Sequence, residues 1–324
     1  MSAGLETRIR AIAYALPAAR RTVRELAAAG ALTSDPAVLE RFGFQHVHVA
    51  VEESPYELAR AAAERLLAAE DVDPASVGLV VYCGPPSAIA FAAAADAPSA
   101  AAAMCTAERF RSPATRLQYE LGLDGASVLA LDQLACTTLL GAVRVARALC
   151  EAEGIDRALC VAGEFYPALA GREALYNCTS DAACALLLEP GSGRGRICGA
   201  ATITKGYYWD PTARPEEVVA SYFPTAVRAI HSTLVDAGWR RDEVDWVIPH
   251  NVSVASWDVL MRLAGLPRAR LWADNVAARG HTLSGDNFIN LHDAIAAGAV
   301  RPGDRVLLFS YGYGAHWTGL AVEV

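Results

Sequence analysis

The sequence predicts an α/β fold made of two similar halves, and three observations carry that prediction. Apolar strand-like runs alternate with helix-periodic runs along nearly the whole chain, the pattern of sheets covered by helices. Several of the strand-like runs, VGLVVYCG and DAACALLLEP among them, are apolar without alternation, as strands buried on both faces are. The order of strands and helices in the first part then recurs in the second, with the glycine- and proline-rich segment GSGRGRICGAATITKGYYWDPTARP between them. A chain of 324 residues, 53% of them hydrophobic, is long enough for two such halves. The expected division is 1–190 and 191–324.

Taken in order, RIRAIAYALP reads as a strand and turn. SPYELARAAAERLLAAE has apolar residues at helical spacing, with Ser54 as N-cap and Pro55 at the first helical position. VGLVVYCG is a strand, TRLQYELGL a helix, and ASVLALDQ a strand that reads as buried from Leu129 to Leu131. TTLLGAVRVARALCEAEG is a helix, RALCVAGEF a strand, and DAACALLLEP the strand that closes this half. In the second half VVASYFPTAVRAIHSTLVDAG is a helix and EVDWVIPHN a strand ending in a polar site. VASWDVLMRLAG and NFINLHDAIAAG are helices, and DRVLLFSYGYG is a strand running into a glycine turn. The glycine- and proline-rich segment is expected to connect or decorate the halves.

Composition removes several function classes. The net charge is -8, Lys205 is the only lysine, and no block of basic residues appears, so nucleic acid is a poor partner. None of the eight cysteines forms a CxxC pair or a zinc-like Cys/His spacing, and no GxGxxG follows a strand. No metal and no redox cofactor is therefore expected, and the cysteines read as reduced thiols of a cytoplasmic protein. The opening MSAGLETRIRAIAYALP lacks the basic and apolar regions of a signal peptide. The alanine-rich stretch Ala88–Met104 is interrupted by Asp96 and Pro98, so it reads as a loop with a helical piece and no membrane association is expected.

Four polar features stand where strands end: Cys136, His250, the stretch GHTLSGDN (280–287) and YGYGAHW (311–317). Strand ends are where sites assemble in α/β sheets. Cys136 lies between a strand and an apolar helix, in LALDQLACTTLLG. Cysteine there is either a small core hydrophobe or a nucleophile favoured by the helix N-terminus.

On LACTTLLGA, SDAACALLL, VIPHN, RGHTLSGDNFIN and RPGDRVLLFSYGYGAHWTGLAVEV, which occur in the family's order, the chain resembles the thiolase superfamily. Within it the likeness is to the ketoacyl-acyl-carrier-protein synthase III branch, and it runs over almost the whole length. The resemblance implies a five-layered αβαβα fold and a nucleophilic cysteine, Cys136, that takes an acyl group from a thioester. It also implies an oxyanion site made by the backbone N–H groups of Cys136 and Tyr313. His250 matches the histidine of the family's condensing enzymes. Their asparagine, in a GN motif, is replaced here by His281, with Asp286 five positions on.

Relatives carrying Cys, His and Asp act as acyltransferases, and the chain is most similar to these. The implied function is loading of an acyl group on Cys136 and transfer to a hydroxyl, amine or carrier thiol in specialised, polyketide-type biosynthesis. The expected triad is Cys136 as nucleophile, His250 as base and Asp286 as orienting carboxylate, with His281 lining the acceptor pocket or sharing the base role. Alternatives are that Asp286 caps a helix, or that His281 takes the asparagine's hydrogen-bonding place, in which case the enzyme condenses two thioesters through a carbon–carbon bond. A third reading is an inactive partner subunit.

The basic residue that follows FGF in coenzyme-A-binding relatives is missing after Arg41, so a carrier-protein thioester is the expected donor ahead of coenzyme A, docking on arginines. Arg172 and Arg214 are alternatives for holding coenzyme A. The family is dimeric. Its segment matching GPPSAIAFAAAADAPSAAAAMCTAERFRSPAT shapes the partner's acyl pocket, with Glu108, Phe110 and Arg111 at the gate.

Overall fold

Two sheets of one design run through the molecule. The computed structural model describes residues 6–84, 110–164, 171–174, 177–211 and 213–324. The first sheet contains β1 (Thr7–Ala15), β2 (Leu79–Cys83), β3 (Ser127–Leu131), β4 (Ala158–Glu164) and β5 (Ala182–Pro190). Their spatial order is β1-β5-β4-β2-β3. The β1/β5 and β5/β4 pairs are antiparallel, and the β4/β2 and β2/β3 pairs are parallel. The second sheet contains β6 (Arg196–Thr204), β7 (Trp246–Pro249), β8 (Arg305–Gly312) and β9 (His316–Glu323), in the order β6-β9-β8-β7. Its pairings run antiparallel, antiparallel, parallel. The second sheet thus repeats the first, short of a counterpart to β3. The two meet at one edge, where Arg8 pairs with Arg196.

Five helices complete the layers: α1 (Pro55–Ala69), α2 (Thr138–Glu153), α3 (Pro215–Asp236), α4 (Val254–Ala264) and α5 (Asp286–Ala296). The start of α1 is fixed by a capping box. The Ser54 hydroxyl accepts from the Glu57 N–H at 3.2 Å, and the Glu57 carboxylate accepts from the Ser54 N–H at 2.8 Å. Such a cap contributes about 1 kcal/mol.

Helix α1 covers the outer face of the first sheet, packing Tyr56, Ala59, Ala63 and Leu66 near Val80, Leu159, Val161 and Leu187. Helices α3 and α4 cover the outer face of the second, with Ile230, Leu234, Trp257 and Leu260 near Val247, Leu307 and Trp317. Between the sheets lie α2 and α5. Leu140 and Val143 of α2 and Phe288 and Leu291 of α5 meet Val81, Cys160 and Leu186 on one side and Val306, Leu308 and Leu320 on the other. The layering is αβαβα, a thiolase-type fold.

Neighbouring residues go to different layers: Val80 outward and Val81 inward, Leu307 outward and Leu308 inward. Both faces of each strand are buried, which explains the apolar runs without alternation. The sandwiched position of α2 explains why that helix is apolar over most of its surface.

Two expectations need correction. Among the described residues the strand read as buried, β3, is the outermost strand of the first sheet and pairs only with β2, and Leu129 is 40% exposed. The glycine-rich segment read as a connection contains β6. Its glycines serve close packing: a Cβ at Gly195 would lie 2.0 Å from the Ile9 carbonyl oxygen, and one at Gly199 would lie 2.4 Å from the Ala237 nitrogen.

The seven cysteines among the described residues are free thiols, and Cys83, Cys150, Cys160, Cys178 and Cys184 are buried. Burial pushes the Cys150 thiol up to about 11 and Cys178 to about 12. Cys105 and Glu108 lie outside the described residues. Among those residues no helix is long and apolar enough to cross a membrane.

Candidate active site

The strand-to-helix junction that carries Cys136 is strained and clamped. After β3 the chain turns with Gln133 at φ 61° and Ala135 at φ 47°, left-handed conformations that cost non-glycine residues on the order of 1–3 kcal/mol each. A short 3-10 turn, Ala135–Thr137, then feeds into α2. The end of β8 holds this turn in place. The Ser310 hydroxyl donates to the Cys136 carbonyl at 2.9 Å. A Cβ at Gly312 would lie 2.3 Å from the Leu134 carbonyl oxygen and 3.2 Å from the Cys136 nitrogen, so the residue must be glycine.

The second junction carries His281 and Asp286. Gly280 has φ 66°, and a Cβ there would lie 2.6 Å from Val47 and 2.9 Å from the Cys178 carbonyl oxygen. The His281 N–H donates to the Cys178 carbonyl and its own carbonyl accepts from the Ser180 N–H, both at 2.8 Å. A 3-10 turn, Leu283–Gly285, leads into α5, whose first residue is Asp286.

Both oxygens of the buried Asp286 carboxylate are committed. Oδ1 accepts from the Thr282 N–H at 2.6 Å and the Thr282 hydroxyl at 2.7 Å. Oδ2 accepts from the Asn251 N–H at 2.6 Å and from His281 Nδ1 at 2.5 Å. Asn287 and Asn290 of α5 brace the same region. The Asn287 amide donates to the carbonyls of Ile248 and Phe309, and the Asn290 amide donates to Pro249 O and Asn251 Oδ1. The Asn251 amide in turn donates to Gly280 O at 2.7 Å.

His281 Nε2 lies 3.2 Å from Cys136 Sγ. Burial alone would depress the imidazole, but Asp286 and Cys136 outweigh it and hold His281 well above the usual histidine range. Cys136, His281 and Asp286 therefore form one connected line. The expected pairing of Asp286 with His250 is not the one found. His250 is held by its backbone, which donates to Phe309 O at 3.2 Å and accepts from Trp257 Nε1 at 3.0 Å, and its ring centroid is 6.2 Å from that of His281. Its Nδ1 has no hydrogen-bond partner among the described residues. Burial, followed by the charge of His281, pushes His250 down to about 3, so it stays neutral. Asp286 is not the N-cap of α5 either; that position is Gly285.

A cavity of about 390 Å³ opens onto these groups, and Cys136, His250, His281 and Tyr313 all line it. Among its walls are Val218, Tyr222 and Phe223 of α3 and Tyr311 of β8. Phe110 and Arg111 are not among its lining residues, and Phe110 is 82% exposed. Arg172 is buried in a bidentate pair with Asp181, at 2.7 and 2.9 Å, so it cannot meet a donor at the surface. Arg214 is exposed and stacks 4.2 Å above the Tyr207 ring.

One lining residue escaped the sequence reading: Glu164, the last residue of β4. Its carboxyl bonds the Ser284 hydroxyl and accepts from the Ser284 N–H at 3.4 Å. Burial is the main cause that pushes it up to about 7. The signal was available, since Glu164 ends the apolar run LCVAG as His250 ends VIP.

Fold and site together describe a thiolase-type fold with a cysteine at the entry of a central helix, in a cavity it shares with two histidines. Residues 234–324 match the family model described as 3-oxoacyl-[acyl-carrier-protein] synthase III C terminal. The β-ketoacyl-[acyl-carrier-protein] synthase III of Rhizorhabdus wittichii is 26% identical over 312 residues, covering 90% of this chain and 91% of that protein. Among solved structures, the 3-oxoacyl-[acyl-carrier-protein] synthase III of Aquifex aeolicus superposes with a TM-score of 0.80 at 21% identity, covering 98% of this chain and 100% of the other. The acyltransferase ChlB3 superposes with a TM-score of 0.81 at 19% identity, covering 98% of each chain. The C-terminal part of the chain thus matches the synthase III family model, and the chain over most of its length is similar to curated β-ketoacyl-[acyl-carrier-protein] synthases III.

Proposed function

We propose that the protein is an acyltransferase that loads an acyl group from a carrier-protein or coenzyme A thioester onto Cys136 and passes it to a hydroxyl, amine or carrier thiol. One observation carries this reading. The residue standing where condensing relatives keep an asparagine is His281, tied to Asp286 at 2.5 Å and placed 3.2 Å from Cys136 Sγ. An asparagine donates and accepts hydrogen bonds but neither takes up nor releases a proton near neutral pH, whereas a carboxylate-held histidine gives and takes protons. Transfer to a protic acceptor requires that traffic, and decarboxylative condensation does not.

In the first half-reaction the Cys136 thiolate attacks the donor carbonyl. The oxyanion rests on the N–H groups of Cys136 and Tyr313, the donor C–S bond breaks, and the leaving thiolate takes the His281 proton. In the second, His281, now neutral, accepts a proton from the attacking acceptor. Cys136 then leaves as thiolate, restoring the pair. This moves the base role from His250 to His281. His250, neutral and buried, is a hydrogen-bonding group in the cavity wall.

That neutral His250 is also the observation that favours the second reading, a condensing synthase, because a neutral imidazole can polarise the carbonyl of a second thioester. We place the chain in a homodimer, supported by the exposed edge strand SVLAL, whose outer edge has no partner strand among the described residues.

Intact-protein mass spectrometry tests the proposal. Wild type and Cys136→Ala are incubated with acyl-carrier and acyl-coenzyme-A donors, then with alcohols, amines and malonyl carrier separately. An adduct that needs Cys136 and is discharged by alcohol or amine, but not by malonyl carrier, is expected. Discharge by malonyl carrier with release of carbon dioxide would replace the proposal with the condensing reading.

A further inference from the structure

We infer that Glu164 makes the cavity selective for an acceptor that carries a primary amine, binding it as the ammonium ion and taking its first proton. This rests on the acyl-transfer reading and narrows its acceptor class. Glu164 is a cavity-lining carboxyl whose known partner is the Ser284 hydroxyl and N–H. Among the described residues it forms no ion pair, and the cavity lining contains no arginine or lysine.

Aromatic rings line the same cavity. Tyr222 and Tyr311 meet edge to face with centroids 5.2 Å apart, and Tyr311 and Tyr313 meet at 6.0 Å. A carboxyl with no arginine or lysine partner, in a cavity also lined by aromatic rings, is the chemistry that recognises an organic cation. A neutral alcohol would leave the ionised form of that carboxyl with only the Ser284 hydroxyl and N–H against its charge once His281 is neutral, which is costly.

The step balances. The ammonium gives one proton to the Glu164 carboxylate and becomes an amine. Its nitrogen attacks the acyl-Cys136 carbonyl, the second proton passes to neutral His281, and the C–S bond breaks to return the Cys136 thiolate. Glu164 then releases its proton to water. The groups acting on Glu164 are the Ser284 hydroxyl and N–H and the charge of His281, which favour ionisation, against burial and Asp286, which oppose it.

The test uses matched probes, phenethylamine and 2-phenylethanol, on wild type and Glu164→Gln, a variant that keeps a polar partner for Ser284. Discharge of the acyl-Cys136 adduct is timed by mass spectrometry, and binding to the unloaded protein is measured by calorimetry. Wild type is expected to be discharged by the amine faster than by the alcohol. The variant should lose about 100-fold in amine discharge measured against its own rate of Cys136 loading, the scale of one proton-transfer group. Amine binding should strengthen from pH 6 to 8 in wild type and stay flat in the variant, as Glu164 ionises near its value of about 7. Equal discharge by both probes, or an unaffected variant, overturns the inference while leaving acyl transfer intact. If Cys136 takes no acyl group, the acyl-transfer reading fails, and Glu164-dependent amine binding alone decides the inference: its presence supports it and its absence overturns it.

Discussion

Helices α2 and α5 hold equivalent places in the two halves. Each lies in the central layer, and each precedes the strand, β4 or β8, that stands third from the shared edge of its sheet. Each is entered through a 3-10 turn, and each entry contains a non-glycine residue in the left-handed region, Ala135 before α2 and Leu283 before α5. The difference lies in what stands at the turn. At α2 it is a thiol open to the cavity; at α5 it is a carboxylate with both oxygens occupied. The comparison teaches that one repeated frame supplies two components that meet in the cavity, a thiol from one half and a carboxylate-held histidine from the other. Neither half alone holds both.

The sharpest break in this comparison is to silence the first junction. Cys136→Ala should abolish the acyl adduct seen by mass spectrometry, with no change in the far-ultraviolet circular dichroism. Next in size is Asp286→Asn, which keeps the shape but loses the carboxylate. By the precedent of other triads it should slow Cys136 loading by about 10³-fold or more, read as adduct formation per unit time. His250→Gln, altering the neutral histidine, should cost about 10-fold to 100-fold in discharge and spare loading. A loading loss in His250→Gln equal to that in Asp286→Asn would return the base role to His250.

A pH series sharpens the same contrast. His281 is raised in the folded state, so the stability it gains from Asp286 and Cys136 is fully present below the ordinary histidine value of about 6.5. That contribution is lost as the pH rises through the raised value. The melting-temperature gap between wild type and His281→Asn should therefore be widest at mildly acid pH and narrow toward alkaline pH. The smallest effect on chemistry is expected from Leu129→Asp on β3, the strand that has no counterpart in the second sheet. Light scattering should show the mass of the proposed homodimer falling to that of one chain.

Much of this frame was legible in the sequence because it is written in burial. Strands covered on both faces read as unbroken apolar runs, and Ser54 with Pro55 marked the start of α1. What escaped was set by neighbours distant in sequence. SVLAL has the same composition as a central strand, and only its place at the end of the sheet exposes it. Gly195 and Gly199 read as loop but let the chain at β6 approach Ile9 and Ala237. In the site, the residue types and their strand ends were readable. The partner of Asp286 was not, because the choice between His250 and His281 depends on how the turn at 282–285 folds back.

The clamp on Cys136 has a consequence for how the protein fails. The strained turn at Gln133 and Ala135 belongs to the first half, but the atoms that hold it, the Ser310 hydroxyl and the bare Cα of Gly312, belong to the second. A slight separation of the two halves releases that strain and lets the nucleophile turn relax while both sheets remain intact. Acyl loading should then vanish at a urea concentration below the one that melts the helices. The protein would be inactivated well before it unfolds.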